Sequence, residues 1–197
     1  MTKANFYRNL KIDTPFDKEI LIKDLSKEIL SPDRIFMCKR WGYRDPIFSN
    51  PFHQLLDNLS CYVANAEIFY IPSNKQLEWH IDMYPPMDFV KINFVWNSDN
   101  HSMMWGKCIN EDKKISISLT QMDTEYVKYE DKEIKPLESV KISEKFPALV
   151  NVGIPHKVVN ISPLPRWCFS IVPHHNNKRI LFDDALKIFK NYIVTID

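Results

Sequence analysis

Residues 89–96 read Phe-Val-Lys-Ile-Asn-Phe-Val-Trp, and this stretch indicates most directly how the chain folds. Successive side chains of a β-strand point to opposite faces of a sheet. On that spacing Lys91, Asn93 and Val95 share one face, and the large apolar residues between them share the other. The stretch is rich in the β-branched and aromatic residues that strands favour, so it predicts a β-strand.

Similar short runs rich in Ile, Val, Phe, Tyr and Trp lie on both sides of this stretch. Clusters of Pro, Asn, Asp and Ser separate them. The runs are residues 66–71, 77–83, 102–105, 115–119, 126–129, 139–142, 148–152, 158–161 and 167–172. Many short strands at this spacing predict an antiparallel sandwich or barrel.

Helical periodicity is found only towards the two ends of the chain. Residues 17–30, 51–59 and 183–194 each carry apolar side chains at helical spacing. The sequence therefore predicts a single α+β domain over residues 1–197. Its expected regions are a helical N-terminal region at residues 1–65, a β core at residues 66–173 and a C-terminal helical extension at residues 174–197.

Composition excludes several classes of protein. The chain has 197 residues, of which 45% are hydrophobic and 26% charged, a globular profile that excludes a disordered chain. Its three glycines cannot form a Gly-rich phosphate-binding loop. Lys and Arg number 26 and Asp and Glu 25, so neither nucleic acid nor an acidic membrane surface is expected as a partner.

Cysteine spacing and the lack of long apolar segments bear on location. The four cysteines contain no C-x-x-C pair, so free thiols are expected rather than a zinc site. No secretory leader is recognised in the first residues, and no run approaches the roughly 20 apolar residues that span a bilayer. A soluble, cytoplasmic protein is the expectation, and the sequence leaves its oligomeric state open.

The sequence Trp-His-Ile-Asp at residues 79–82 carries the clearest chemical signal. If residues 77–83 form a strand, His80 and Asp82 point to the same side. An imidazole and a carboxylate then lie next to each other, which is two thirds of the 2-His-1-carboxylate triad of non-haem Fe(II) oxygenases. The third ligand must come from elsewhere in the β core.

His156 and Arg166 complete a candidate constellation. His156 follows a Gly-Ile-Pro turn and stands where the next strand begins. The pair His174-His175 is a weaker source of the third ligand, because neighbouring residues of a strand face opposite ways. Arg166 precedes the apolar run 167–172, where a buried guanidinium needs an anionic partner and can bind a carboxylate in a bidentate fork.

This combination of H-x-D, a distal His and an Arg ten residues after it resembles the signature of the Fe(II)/2-oxoglutarate-dependent dioxygenases. The resemblance covers about residues 66–173. Within the family, the chain loosely resembles the aspartyl/asparaginyl and prolyl hydroxylase branches. It implies a double-stranded β-helix core, also called a jelly roll and cupin-like. It also implies Fe(II) and 2-oxoglutarate as cofactors, with His80, Asp82 and His156 as iron ligands and catalytic centre.

The same resemblance implies how the cosubstrate is held. Arg166 corresponds to the family's anchor for the distal carboxylate of 2-oxoglutarate. Many members place a Ser two residues after that Arg. Here the position is Cys168, and Ser170 lies two residues further along the same face as a candidate second contact. Asn93 either faces the cavity and contacts 2-oxoglutarate or substrate, or it is a polar residue on a solvated face.

The implied activity is that of an oxidoreductase, a hydroxylase that consumes 2-oxoglutarate and O2 and releases succinate and CO2. The prime substrate, a small molecule or a peptide, is not identified by the sequence. Two other classes stay open: a cupin-like metal-binding isomerase, binding module or degenerate member of the fold, and an interaction domain without metal. Each residue taken alone also has a structural explanation. His80 could be a core histidine, Asp82 could be a turn residue, and Arg166 could stack on Trp167.

Overall fold

The computed structural model describes residues 6–25, 34–97, 100–110, 116–120 and 125–194. Its helices are α1 (Lys18–Leu25), α2 (Asn50–Asn58) and α3 (Phe182–Ile188), with 3-10 turns at Asp131–Glu133 and Lys190–Tyr192. The strands are β1 (Tyr7–Asn9), β2 (Phe36–Trp41), β3 (Cys61–Ile71), β4 (Lys75–Gln76), β5 (Trp79–Ile81), β6 (Val90–Trp96), β7 (His101–Cys108), β8 (Ser116–Leu119), β9 (Glu125–Tyr129), β10 (Ile134–Val140), β11 (Ala148–Asn151), β12 (His156–Asn160), β13 (Arg166–His175) and β14 (Lys178–Arg179).

These strands form two antiparallel sheets that pack face to face as a sandwich. The first sheet has the order β1-β11-β6-β13-β3-β2, with β14 beside β13. The second has the order β10-β7-β12-β5-β9-β8, with β4 beside β12. The expected α+β class, dominated by antiparallel strands, is therefore confirmed.

The first sheet is buried on both faces, which explains the apolar character of β6. Its inner face packs against the second sheet, where Val95, Cys168 and Trp105 belong to one core cluster. Its outer face carries Phe94 and Phe169, which pack in a second cluster with side chains from all three helices. All seven residues of β6 are buried, so the reading of Asn93 as a residue on a solvated face is wrong.

The ends of the chain differ from the expected pattern. The N-terminal region, residues 1–65, is not purely helical, because it also contributes β1, β2 and the start of β3. The extension from residue 174 begins with the end of β13 and with β14 before α3. β1 and β2 are edge strands of the first sheet, and their short sequences carry little periodicity of their own. The expected continuation of the first helix beyond Leu25 lies outside the described residues, as does Ile115.

A close backbone approach fixes the turn before β12. A Cβ atom added to Gly153 would collide with the backbone carbonyl of Met87 and approach the Cα of Asp88 to 2.6 Å. The Gly153 amide donates to Oδ1 of Asn151 at 3.0 Å. Glycine is thus required here, and the turn brings β12 and its first residue, His156, to a fixed place. None of the helices in the described ranges is long and apolar enough to cross a membrane.

Candidate metal centre

Two histidines meet across neighbouring strands of the second sheet. His80 in β5 and His156 in β12 are directly opposite partners in the antiparallel register. Side chains of directly opposite residues project to the same face of a sheet. The two imidazole rings accordingly lie with their centroids 4.3 Å apart. The structure thus joins two stretches that are 76 residues apart in the sequence.

Asp82 completes the cluster from just beyond the end of β5. Its Oδ1 lies 3.3 Å from Nε2 of His80 and 3.4 Å from Nε2 of His156. The three donor atoms all lie within 4.8 Å of one another, a grouping that could hold a metal ion. β5 is shorter than expected, yet its alternation carries through to Asp82, and the three residues singled out in the sequence lie together.

The two imidazoles present the same nitrogen to this point. Nδ1 of His80 lies 2.7 Å from the carbonyl oxygen of Glu78, and Nδ1 of His156 lies 3.0 Å from that of Ile154. A carbonyl only accepts hydrogen bonds, so each Nδ1 acts as donor and each Nε2 keeps a free lone pair. Such backbone bonds are how proteins orient metal-binding histidines. The donor set of two imidazoles and one carboxylate suits Fe(II) with open coordination positions.

The carboxylate of Asp82 is divided between two roles. Its Oδ1 faces the histidines, while its Oδ2 accepts from Nζ of Lys91 at 2.7 Å. Nζ of Lys91 also lies 3.4 Å from Oε2 of Glu67. Burial raises the pKa of Asp82, but the charge of Lys91 and the hydrogen bond with His156 outweigh it and hold that pKa well below its usual value. Asp82 is therefore ionised, with one oxygen left for a metal.

Burial lowers the pKa of His156 from its ordinary value of 6.5, and the nearby His80 lowers it further, although Asp82 acts in the opposite direction. The folded protein therefore keeps His156 neutral at a pH where the unfolded chain would bind a proton. Stability linked to His156 is present above pH about 6.5 and is lost as the pH falls below it. The pKa of Asp82 contributes only in more acid solution, below its ordinary 3.8.

We expect the free energy of unfolding of the metal-free protein to fall as the pH drops from about 7.5 to about 5, with a slope of up to about 1.4 kcal/mol per pH unit for one proton. His156→Asn should remove the part of this slope that comes from the uptake of one proton on unfolding. Urea titrations at each pH measure it. A smaller slope should persist in the variant, because burial also lowers the pKa of His174. Equal slopes in both proteins would contradict the buried, neutral state of His156.

Arg166 is completely enclosed at the start of β13. Only 1% of its surface is exposed, and its Nε and Nη2 have no hydrogen-bond partner. Burial lowers its pKa, and the Cys168 side chain acts against that. No carboxylate within the described residues pairs with this guanidinium, so the anionic partner that the sequence requires is not among the described residues of the protein. Arg166 does not line the cavity described below.

Cys168, Ser170 and Asn93 share the inner face of the first sheet, on β13 and β6. Burial raises the pKa of the Cys168 thiol, while the charges of Arg166 and Lys91 lower it, which places the thiol within reach of both cations. Oγ of Ser170 donates to Oδ1 of Asn93 at 2.6 Å, and both residues are buried. Asn93 and Ser170, both singled out in the sequence, are therefore neighbours on adjacent strands. Ser170 lies two positions after Cys168 in β13.

A cavity of about 1050 Å³ opens beside the cluster and is lined by His80, Asp82 and Lys91. Its volume is at the upper end of the range for small-molecule sites. Sequence reasoning did not assign roles to Lys91, Glu67 and Arg179, although all three line this cavity. The available signal was a lysine within a buried strand, which needs an acidic partner.

Comparison with models of known protein families found no match for this chain, and neither did comparison with curated proteins.

Proposed function

We propose that this protein is an Fe(II)- and 2-oxoglutarate-dependent oxygenase that hydroxylates a prime substrate and releases succinate and CO2. One observation carries the proposal. Two imidazoles and an ionised carboxylate converge within 4.8 Å, and a buried guanidinium without a carboxylate partner among the described residues lies on the facing sheet. A metal satisfies the first group, and a dianionic cosubstrate satisfies the second.

The strand order supports a double-stranded β-helix. Along the chain β3, β6, β11 and β13 belong to the first sheet, whereas β5, β7, β10 and β12 belong to the second. Sheet order is β11-β6-β13-β3 in one layer and β10-β7-β12-β5 in the other. These eight strands, four from each sheet, pass between the two layers in the order expected of a jelly roll, which supports this fold. In this arrangement the histidines and Arg166 come from opposite layers, and we place the cosubstrate between them.

Each residue has a distinct role in this proposal. His80, Asp82 and His156 hold the iron, which supplies the activation of O2 and the oxidation of 2-oxoglutarate. Lys91 binds Oδ2 of Asp82, so that only Oδ1 is available to the metal and further coordination positions stay open. Arg166 pairs with the distal carboxylate of 2-oxoglutarate. Ser170 and Asn93 line the intervening surface, where their hydrogen-bonded pair keeps it rigid.

Arg166→Met tests the proposal, because it separates a ligand-binding arginine from a structural one. A structural buried ion pair would cost about 3–5 kcal/mol when broken. Since Nε and Nη2 of Arg166 have no partner to lose, we expect the metal-free variant to stay within about 1 kcal/mol of the native protein in urea unfolding. The variant should bind Fe(II) normally but lose about 100-fold or more in affinity for 2-oxoglutarate, a charge-assisted bidentate contact.

The measurement is an anaerobic titration of the Fe(II)-loaded protein with 2-oxoglutarate, followed by the weak visible charge-transfer band of the chelate. Arg166→Lys keeps the charge but not the fork and should give an intermediate affinity. Equal 2-oxoglutarate affinity in native protein and Arg166→Met would refute the role of Arg166. Metal binding without any 2-oxoglutarate binding would favour the second candidate, a cupin-like metal-binding module, which the triad alone supports.

A further inference from the structure

The cavity beside the triad contains a second arginine with unusual surroundings. Arg179 in β14 lines the cavity, and its Nε is buried without a hydrogen-bond partner. Its Nη1 donates to Sδ of Met83 at 2.9 Å, a weak acceptor, and its guanidinium carbon lies 4.9 Å from the centre of the Phe89 ring. Neither contact neutralises its charge, and the carboxylates of Asp82 and Glu67 act on it only from beyond ion-pair distance.

The other charged side chains of the cavity wall are ion-paired. Glu78 pairs with Lys128, Asp131 with Lys157, and Glu130 with Lys132. Lys91 pairs with both Asp82 and Glu67. Among the described residues of the wall, Arg179 is the cation without a carboxylate at ion-pair distance. A partly buried, unpaired guanidinium is a strong site for a carboxylate.

Asn65 offers the opposite kind of unsatisfied group in the same wall. Its Oδ1 is buried and has no hydrogen-bond partner, and Asn65 also lines the cavity. Asn65 in β3 is opposite Val172 of β13, and Arg179 in β14 is opposite His174 of the same strand. Asn65 and Arg179 thus line the cavity on the two sides of β13.

The charges leave room for one further anion, an argument that rests on the proposed function. Lys91, Arg166, Arg179 and a divalent metal carry five positive charges, whereas Glu67, Asp82 and dianionic 2-oxoglutarate carry four negative charges. Because Arg166 pairs with 2-oxoglutarate in that proposal, the positive charge left over is that of Arg179. A substrate with a single carboxylate balances this surplus.

We propose that this wall binds the prime substrate as a small carboxylate with a nearby amino group, an α-amino acid or a derivative of one. Arg179 binds its carboxylate, and Oδ1 of Asn65 accepts from its amino group. The remainder of the molecule extends into the cavity towards His80 and Asp82. The cavity volume of about 1050 Å³ has space for such a molecule.

The test uses the full-length protein loaded with Mn(II) and 2-oxoglutarate, and pools of the genetically encoded L-amino acids as probes. Protons of a probe that binds near Mn(II) relax faster, so the proton relaxation of each probe reports both affinity and closeness to the triad. We expect at least one amino acid to show this effect, and the corresponding amino-acid amide, which lacks the carboxylate, to bind at least tenfold more weakly.

Arg179→Gln should weaken binding of that amino acid about tenfold or more, as expected for losing a charged hydrogen bond. Lys178→Gln is the matched control, because it removes the same charge from an exposed neighbour that does not line the cavity. Its affinity should equal that of the native protein. The inference would be overturned if no amino acid showed faster proton relaxation. It would also be overturned if Arg179→Gln and Lys178→Gln lost amino-acid affinity equally.

A 2-oxoglutarate titration of the same Mn(II)-loaded samples separates this inference from the proposed function. Arg179→Gln should leave 2-oxoglutarate affinity unchanged. If Arg179→Gln weakens 2-oxoglutarate binding and Arg166→Met does not, Arg179 is the cosubstrate anchor, and the inference is overturned while the oxygenase assignment survives. If no variant binds 2-oxoglutarate, the oxygenase assignment fails, and the amino-acid titration with Mn(II) alone still decides the inference.

Discussion

Replacing His80 with alanine is expected to lower the affinity for Mn(II) or Fe(II) by about 1000-fold or more. Loss of a residue that only orients a ligand typically costs about 10–100-fold in metal affinity. Loss of the ligand itself should cost more, because Asp82 and His156 alone leave the ion with two protein donors. Equilibrium dialysis with metal quantification measures the effect directly.

His175→Ala provides the matched control for this experiment. His175 is a partly exposed histidine at the end of β13, and it does not belong to the cluster of metal-binding geometry. Its removal should leave metal affinity unchanged, and both variants should unfold at similar urea concentrations. Loss of metal binding in His175→Ala, or its retention in His80→Ala, would contradict the assigned ligand set.

Replacing Lys91 with methionine is expected to lower the free energy of unfolding of the metal-free protein by about 3–5 kcal/mol. Methionine fills a similar volume, so the loss reports charge rather than packing. The variant leaves the carboxylates of Asp82 and Glu67 facing each other without their shared cation. By comparison, Lys187→Met removes an exposed partner of Asp184 and should leave the free energy of unfolding almost unchanged, because solvent screens this ion pair.

Two further results should accompany the Lys91→Met loss. Glu67→Gln in the Lys91→Met background should recover some of the stability, because it removes one of the two carboxylate charges that Lys91 balanced, so the single effects will not add. Saturating Mn(II) should stabilise Lys91→Met more than the native protein, because the ion supplies the missing positive charge to Asp82. A loss below about 1 kcal/mol in urea unfolding of Lys91→Met would contradict this electrostatic account.

Most of the strands, and the closeness of His80 to Asp82, were predictable from the sequence because their signals are local. Alternation within residues 89–96 is enough to identify β6, and two-residue spacing is enough to place His80 and Asp82 together. Gly153 and Pro155 mark the turn that precedes His156. The edge strands β1 and β2 were missed, because their pairing depends on partners far along the chain rather than on their own pattern.

The electrostatics of the site could be predicted only partially. The need of Arg166 for an anion followed from its position in an apolar strand, but the absence of a partner among the described residues required the fold. The sequence placed Lys91 on the correct face of its strand but did not reveal its ion pairs. Its partners are Glu67 in β3 and Asp82 just after β5, and only the fold brings them together. Arg179 lies close to the histidine pair in sequence, yet only the pairing of β13 with β14 brings it into the cavity.

Anomalous diffraction from crystals grown with Mn(II) tests the central claim most directly. The account predicts one strong anomalous peak at roughly 2.0–2.3 Å from Nε2 of His80, Nε2 of His156 and Oδ1 of Asp82, with Lys91 still bound to Oδ2. A peak bound by other side chains, or no peak between these three residues at saturating Mn(II), would contradict it.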